Sequence, residues 1–341
     1  MSNYQAFLER LNPKVAKMIK TAQETETVKY KLASRRLTRA LNGGIGEGRI
    51  TLIYGNSSAG KTALALQSIG KLQEQGLVCA FVDTEGTYEK KWAERLGVNN
   101  SELILVTTSK SSGRVEKDLA PLLEAEVDVL VIDSISDIMP EAFVDKEGEL
   151  KDQEDRKQVG AHAKAITALL NGILYRNKRT AVIIISQVTT KFGQSYVEMI
   201  PHGGEKTKFA SSTMVRVTSS ASPGQQIEEE VSEGGYLVKK PVARKVEFIV
   251  TKNKLGQPFL SGHWNFYYAG PHVGIDEVQE LVQIALEYGI VSKSGSWYEY
   301  DGVKLQGEGT LVARLREDVD LHEKLSKEVD DTLERIDNES A

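Results

Sequence analysis

The stretch Gly55-Asn56-Ser57-Ser58-Ala59-Gly60-Lys61-Thr62 has the spacing G-x-x-x-x-G-K-[ST]. That spacing suits a polyphosphate. Glycines let the backbone come close to an anion and take turns that a Cβ forbids, and N–H groups at the start of a following helix point at it. Gly55, Ser57, Ser58, Ala59 and Gly60 would form the cradle. Lys61 would reach the β/γ phosphates, and the Thr62 hydroxyl would face Mg2+.

Other polar groups end apolar runs and could complete the chemistry. Asp133 closes Val127–Ile132, where a carboxylate at a strand end points into the ligand crevice and supports Mg2+ through a bound water. Glu85 ends Phe81-Val82-Asp83-Thr84. It either polarises a water for in-line attack on a γ-phosphate or caps the next helix. Gln187 follows Ile183-Ile184-Ile185-Ser186, and its amide can hydrogen-bond a γ-phosphate or the attacking water. Lys252-Asn253-Lys254 are either solvated or cationic fingers for a phosphate bound by a neighbouring subunit.

These groups need a frame, and the apolar pattern supplies one. Ile50–Tyr54 precedes the glycine loop and a helix-forming run, Ala63–Ser68, follows it. Short apolar runs at 78–82, 103–106, 127–132 and 181–185 alternate with helix-length segments at 62–75, 88–96, 111–125 and 158–176. Such alternation predicts an α/β fold with a central, mainly parallel sheet covered on both faces. Strands at 213–219, 244–252 and 262–268 have no long helices between them, so the sheet continues in antiparallel fashion. Residues 4–40 read as one helical segment, with Phe7, Leu8, Leu11, Val15, Met18 and Ile19 at helical spacing. The expected organisation is a helical arm over 1–42, a core over 43–269, and a small α/β C-terminal domain over 270–341 with an acidic tail. In that last part a helix at 276–288 precedes strands at 296–300 and 303–305, joined by Asp301-Gly302, and helices run to the end. Two polar stretches, about 145–160 and 188–208, interrupt the pattern. Loops that long inside a compact domain are usually functional or disordered, and their position at adjacent strand ends suits a ligand larger than a nucleotide.

The totals of 341 residues, 40% hydrophobic and 27% charged, fit a globular chain with more than one domain. No apolar run approaches the roughly 18 residues of a membrane helix, and the start has no signal-peptide pattern. A single cysteine, Cys79, excludes an internal disulfide and fits a reducing, cytoplasmic setting. The net charge of −5 hides an asymmetry: residues 1–42 carry nine Lys/Arg against three Glu, and residues 316–341 four against ten Asp/Glu. Opposite ends of opposite sign can attract neighbouring copies, the acidic tail can compete with DNA phosphates, or both are solvated helix faces.

Taken together, these motifs resemble those of the RecA family, the homologous-recombination ATPases of bacteria and phages, over nearly the whole chain. The resemblance rests on Gly55…Gly60-Lys61-Thr62, Phe81-Val82-Asp83-Thr84-Glu85, Val131-Ile132-Asp133-Ser134 and Ser186-Gln187. It continues through Gly203-Gly204, Lys208-Phe209, Lys252-Asn253-Lys254…Pro258-Phe259 and the ending Gly289–Tyr300. Hexameric helicases share the ATPase core of that family without this ending.

The resemblance implies a RecA-like nucleotide-binding core in which Glu85 is the catalytic carboxylate and Gln187 senses the γ-phosphate of ATP. Lys252 and Lys254 reach ATP across a subunit interface, and Trp92 stacks on adenine. The stretches 145–160 and 188–208 become DNA-binding loops, with Arg156, Lys191, Gly203, Gly204, Lys206 and Lys208 as contacts. Phe209 lies in the subunit interface, and residues 1–40 dock on the next protomer. Departures occur in the first loop, where Asp152, Glu154 and Asp155 accompany Arg156; acidic groups oppose phosphate contact. His162 and Lys164 both match one cationic family position. The implied activity is an ATP-dependent strand exchange, on helical filaments of this chain, between single-stranded DNA and a homologous duplex. A ring-forming helicase and a nucleotide-gated scaffold with little hydrolysis are the alternatives.

Overall fold

The computed structural model describes residues 26–108, 110–144, 151, 160–192, 197–219, 226–233, 236–270 and 272–339, with residues 7, 9–12 and 15. Short apolar runs become the strands of one large sheet: β3 (Ile50–Tyr54), β4 (Cys79–Asp83), β5 (Ile104–Thr107), β6 (Val129–Asp133) and β7 (Ala181–Ser186). Every residue of β3, β4, β6 and β7 is buried, as strands covered on both faces require. Among the described residues the sheet has ten strands, and from its β5 edge they follow in the order β5-β4-β6-β7-β3.

From β10 (Thr213–Ser219) to β5 the pairs are parallel. Beyond β10 the sheet turns antiparallel through β12 (Tyr236–Asn253), β13 (Ser261–Tyr267) and β14 (Gly274–Ile275). Helices α1 (Arg35–Ala40), α2 (Lys61–Glu74) and α3 (Lys90–Arg95) cover one face, with Leu37, Leu64, Ile69 and Ala93 packed on Phe81, Val131, Val215 and Phe248. Helices α4 (Ser112–Glu124) and α5 (Ala161–Arg176) cover the other.

The antiparallel part differs from expectation in three places. First, β11 (Gln226–Glu233) and the front half of β12 form a hairpin that the sequence pattern did not mark, because Glu228, Glu229, Lys239 and Lys240 hide its alternation. Second, the stretch from 188 holds a hairpin, β8 (Val188–Phe192) with β9 (Val197–Pro201), followed by α6 (Gly204–Ala210). Third, β14 lies where a boundary was expected, so the large sheet runs on to Ile275.

Near the other end of the chain, β1 (Lys29–Tyr30) pairs with β2 (Ile45–Gly46), so residues 4–40 are not one continuous helix. Thr38 explains part of this: its hydroxyl accepts from Leu32 N–H and fixes the turn into α1, whose N-cap is Ser34.

After Ile275, α7 (Glu277–Glu287), the antiparallel strands β15 (Ser292–Ser294), β16 (Trp297–Tyr300) and β17 (Val303–Gln306), α8 (Glu308–Glu317) and α9 (Val319–Glu339) enclose a separate core of Leu281, Ile284, Tyr298, Leu311 and Leu325. Asp301 and Gly302 take φ of 50° and 77°, the two positive values a type I′ hairpin turn needs. The opposite charges of the two chain ends meet here. Arg35 pairs with Asp330, Arg36 with Glu287 at 2.6 Å and Arg39 with Asp337 at 2.9 Å. The buried Glu280 carboxylate accepts from Ser34 Oγ at 2.6 Å and Arg35 N–H at 2.7 Å. Within the chain, then, the basic and acidic segments are partners of each other.

Candidate nucleotide and nucleic-acid site

The loop Gly55–Gly60 leaves the carboxyl end of β3 and enters α2 through Gly60, whose φ is 92°. Gly55 is required by its neighbour: a Cβ there would lie 1.9 Å from the Val217 carbonyl oxygen of β10. Ser58 also takes a left-handed φ of 57°. The Lys61 ammonium folds back and donates to the carbonyls of Gly55 at 2.9 Å and Asn56 at 2.7 Å. Burial pushes the Lys61 pKa down, opposed by Asp133 and Glu85. The site therefore holds a cation that lacks full solvation, which favours an anionic ligand.

Around Lys61 three strand ends converge. Thr62 Oγ1, at the first turn of α2, donates to Asp133 Oδ2 at 2.7 Å. Burial, then Glu85 and Asp83, push the Asp133 carboxyl up to about 6, against the pull of Thr62 and Lys61. A hydroxyl and a carboxylate side by side form an oxygen donor pair of the kind Mg2+ takes together with phosphate oxygens, so these residues fit that ion.

Glu85 sits after β4, and its Oε1 accepts from Ser134 Oγ at 2.7 Å. The N-cap of α3 is Glu89, not Glu85, so Glu85 is free of a capping role. Asp83 holds the turn that presents it, accepting from the N–H groups of Glu85, Gly86 and Tyr88. Thr84 and Ser134 lock the two strand ends together through Thr84 N–H to Asp133 O and Thr84 Oγ1 to Ser134 O.

Gln187 follows β7 and is tied by its backbone to both sides. Its N–H donates to Ser136 Oγ at 2.8 Å, just after the Asp133 strand. Its carbonyl accepts from His202 N–H at 3.1 Å, at the base of the β8–β9 hairpin. One backbone position thus joins the Asp133 end of the sheet to that hairpin. Gly203 caps α6 with φ of 93°, and a Cβ there would meet Thr207 Oγ1 at 2.2 Å. Lys206 is half-buried, and Lys208 pairs with Glu205 at 3.0 Å. Residues 145–150 and 152–159, Arg156 among them, and the Lys191 side chain lie outside the described residues.

Other expected residues stand apart from the loop. Lys252 lies at the far end of β12, where Nζ donates to Lys208 O at 2.5 Å. Burial and Lys254 lower its pKa. Trp92 packs on the core edge with Arg95 5.8 Å above its ring. Phe209 is 70% exposed, and His162 and Lys164, at the start of α5, are exposed as well. Two residues of the site escaped the sequence reading. Ser134, whose hydroxyl bonds Glu85, belongs to no catalytic pattern in the sequence, and Arg244, on β12, donates from Nη2 to the Ser58 carbonyl of the loop.

The family model for the RecA N-terminal domain matches residues 9–273, and that for the RecA C-terminal domain matches residues 279–334. The chain belongs to the RecA family. Protein RecA of Thermus thermophilus is 35% identical over 302 residues, spanning 86% of this chain and 81% of that protein. Protein RecA of a Methylobacterium species is 32% identical, spanning 88% and 77%, and that of Listeria monocytogenes is 32% identical, spanning 86% and 79%. As a RecA family member the chain is an ATPase recombinase, a nucleotide- and DNA-binding protein of recombination and repair. Among the described residues no helix is long and apolar enough to cross a membrane.

Proposed function

We propose that this RecA family chain forms helical filaments on single-stranded DNA, pairs that strand with a homologous duplex, and hydrolyses ATP as DNA stimulates it. The observation that carries this is the convergence of Lys61, Thr62–Asp133 and Ser134–Glu85 at one end of the sheet, joined through Gln187 to the β8–β9 hairpin. In this reading the loop amides and Lys61 hold the phosphates, and Trp92 meets the adenine. Thr62 and, through water, Asp133 would hold Mg2+, which would supply positive charge against the phosphate oxygens. Glu85, aimed by Ser134, takes the proton of the attacking water. Gln187 bonds the γ-phosphate by its side chain and carries its loss to the hairpin by its backbone.

DNA binds along the segments after β6 and β7, with Arg156, Lys191, Gly203, Gly204, Lys206 and Lys208 facing phosphates. Such contacts carry no sequence code, so base pairing tests homology. Self-assembly is supported by apolar groups left open: Phe209, and on edge strand β5, Ile104 and Leu105 at 38% and 43% exposure. Lys252 and Lys254 then complete the ATP site of the neighbouring protomer, and residues 1–42 serve as the arm between protomers. The setting is cytoplasmic. Phosphate release with and without single-stranded DNA, run beside a strand-exchange reaction, tests the reading. DNA-stimulated release together with exchanged strands is expected; release indifferent to DNA, or no exchange, contradicts it. For the coupling, Gln187→Ala should bind ATP and lose DNA stimulation, and retention of full stimulation refutes that step.

A further inference from the structure

Arg244 is a feature of the loop's surroundings that no motif explains. It lies midway along β12, opposite Phe266 of β13, and crosses to the loop to donate from Nη2 to the Ser58 carbonyl. Its Nε is buried and has no hydrogen-bond partner. Among the described residues it also has no carboxylate partner, whereas the similarly half-buried Arg36, Arg176 and Arg316 each meet one. A guanidinium carries five N–H donors in a fixed fork, so one bond to a carbonyl leaves most of its capacity open. A half-buried cation with unused donors, pinned to an anion-binding loop, is short of an anion.

The contact point says which anion. Ser58 is mid-loop, where backbone amides cradle the α and β phosphates, while Lys61 serves the β and γ. Ser58 is also a residue held at φ 57°, a conformation that non-glycine residues keep only when neighbours fix it. We propose that Arg244 is a nucleotide-positioning residue: it fixes the loop through Ser58 and gives its remaining donors to the α/β-phosphate side of the bound nucleotide. This rests on the reading of Gly55–Thr62 as the nucleotide site. It also makes β12 a strand with two duties. Lys252 lies eight residues beyond Arg244, roughly 26 Å at the usual rise per residue, so the strand holds its own nucleotide at its middle and, in the proposed filament, the neighbour's at its far end.

The test is equilibrium binding of a fluorescent ADP and of a non-hydrolysed ATP analogue to the full chain, its Arg244→Ala, Arg244→Lys and Lys61→Ala forms. Arg244→Ala should lose about tenfold in affinity, roughly 1.4 kcal/mol, equally for diphosphate and triphosphate. Turnover at saturating ATP should stay within about twofold and KM should rise, since the arginine binds what is common to substrate and product. Arg244→Lys should recover part of the loss, and the nucleotide-free melting temperature should not move. Wild-type affinity in Arg244→Ala, with Lys61→Ala impaired, overturns the proposal and leaves the site standing. A loss confined to the triphosphate overturns the α/β assignment, and a loss that tracks a lower melting temperature makes the arginine structural. If Lys61→Ala binds ADP as tightly as wild type, the site itself is misassigned and the two failures are told apart.

Discussion

The chain gathers charges in two places and treats them oppositely. Between α1 and the C-terminal helices, Arg35, Arg36 and Arg39 each have a carboxylate: Asp330, Glu287 and Asp337. Around the glycine loop the charges do not cancel. Lys61 is desolvated and bonded only to carbonyls, Asp133 is pushed up to about 6, and Arg244 has no carboxylate among the described residues. Matched charges join two parts of one chain. Unmatched ones, held in place by the backbone, mark where a ligand's charge belongs. Pairing, rather than the amount of charge, separates adhesive from site.

That contrast can be broken from either side. The largest effect is expected from Glu85→Gln, which keeps the Ser134 contact but removes the proposed base: turnover should fall roughly 10²–10⁴-fold with nucleotide affinity retained, read by phosphate release and ADP binding. Gly55→Ala should come next. Its Cβ would collide with Val217 O, costing about 1–3 kcal/mol as overpacking does, and nucleotide affinity should drop with the melting temperature. Arg39→Ala, at the matched junction, should cost under about 1 kcal/mol because the pair is solvent-screened, and should leave ADP affinity unchanged. A nucleotide-affinity loss there would erase the distinction.

The smallest effect is a slope. Burial raises the pKa of Glu280, against the hydrogen bonds of Ser34 and Arg35 and the charge of Arg36. A raised folded pKa means its contribution is complete below the unfolded value and is lost as pH rises through the folded one. Glu280→Gln, which does not ionise, should therefore flatten the fall in melting temperature as pH rises above the usual glutamate range. An unchanged slope would show that burial at the junction is not what its carboxylate resists.

The nucleotide end was the more legible in sequence, for a physical reason. Gly55, Gly60, Lys61, Thr62, Asp133 and Glu85 all sit at or beside strand ends, and buried parallel strands announce themselves as unbroken apolar runs. The family resemblance added Trp92 and Phe209, which no local pattern marks. What stayed hidden depends on chain segments far apart. Arg244 reaches a loop 186 residues earlier, and no motif in β12 marks it. The β11–β12 hairpin carries charged residues on both faces, so period-two alternation is absent where the strand is present. The charge of the two chain ends was plain, but that they bind each other follows only from folding.

The most direct test of the account mixes two inactive proteins. Glu85→Gln lacks the base but has Lys252; Lys252→Ala lacks the far-end lysine but has Glu85. If each ATP site is built from the loop of one protomer and β12 of the next, mixing should restore up to about a quarter of wild-type DNA-stimulated turnover, the share of head-to-tail interfaces that join two intact halves. If the mixture stays as inactive as its components while co-assembly is verified, each site is complete within one chain and Lys252 has no part in its neighbour's.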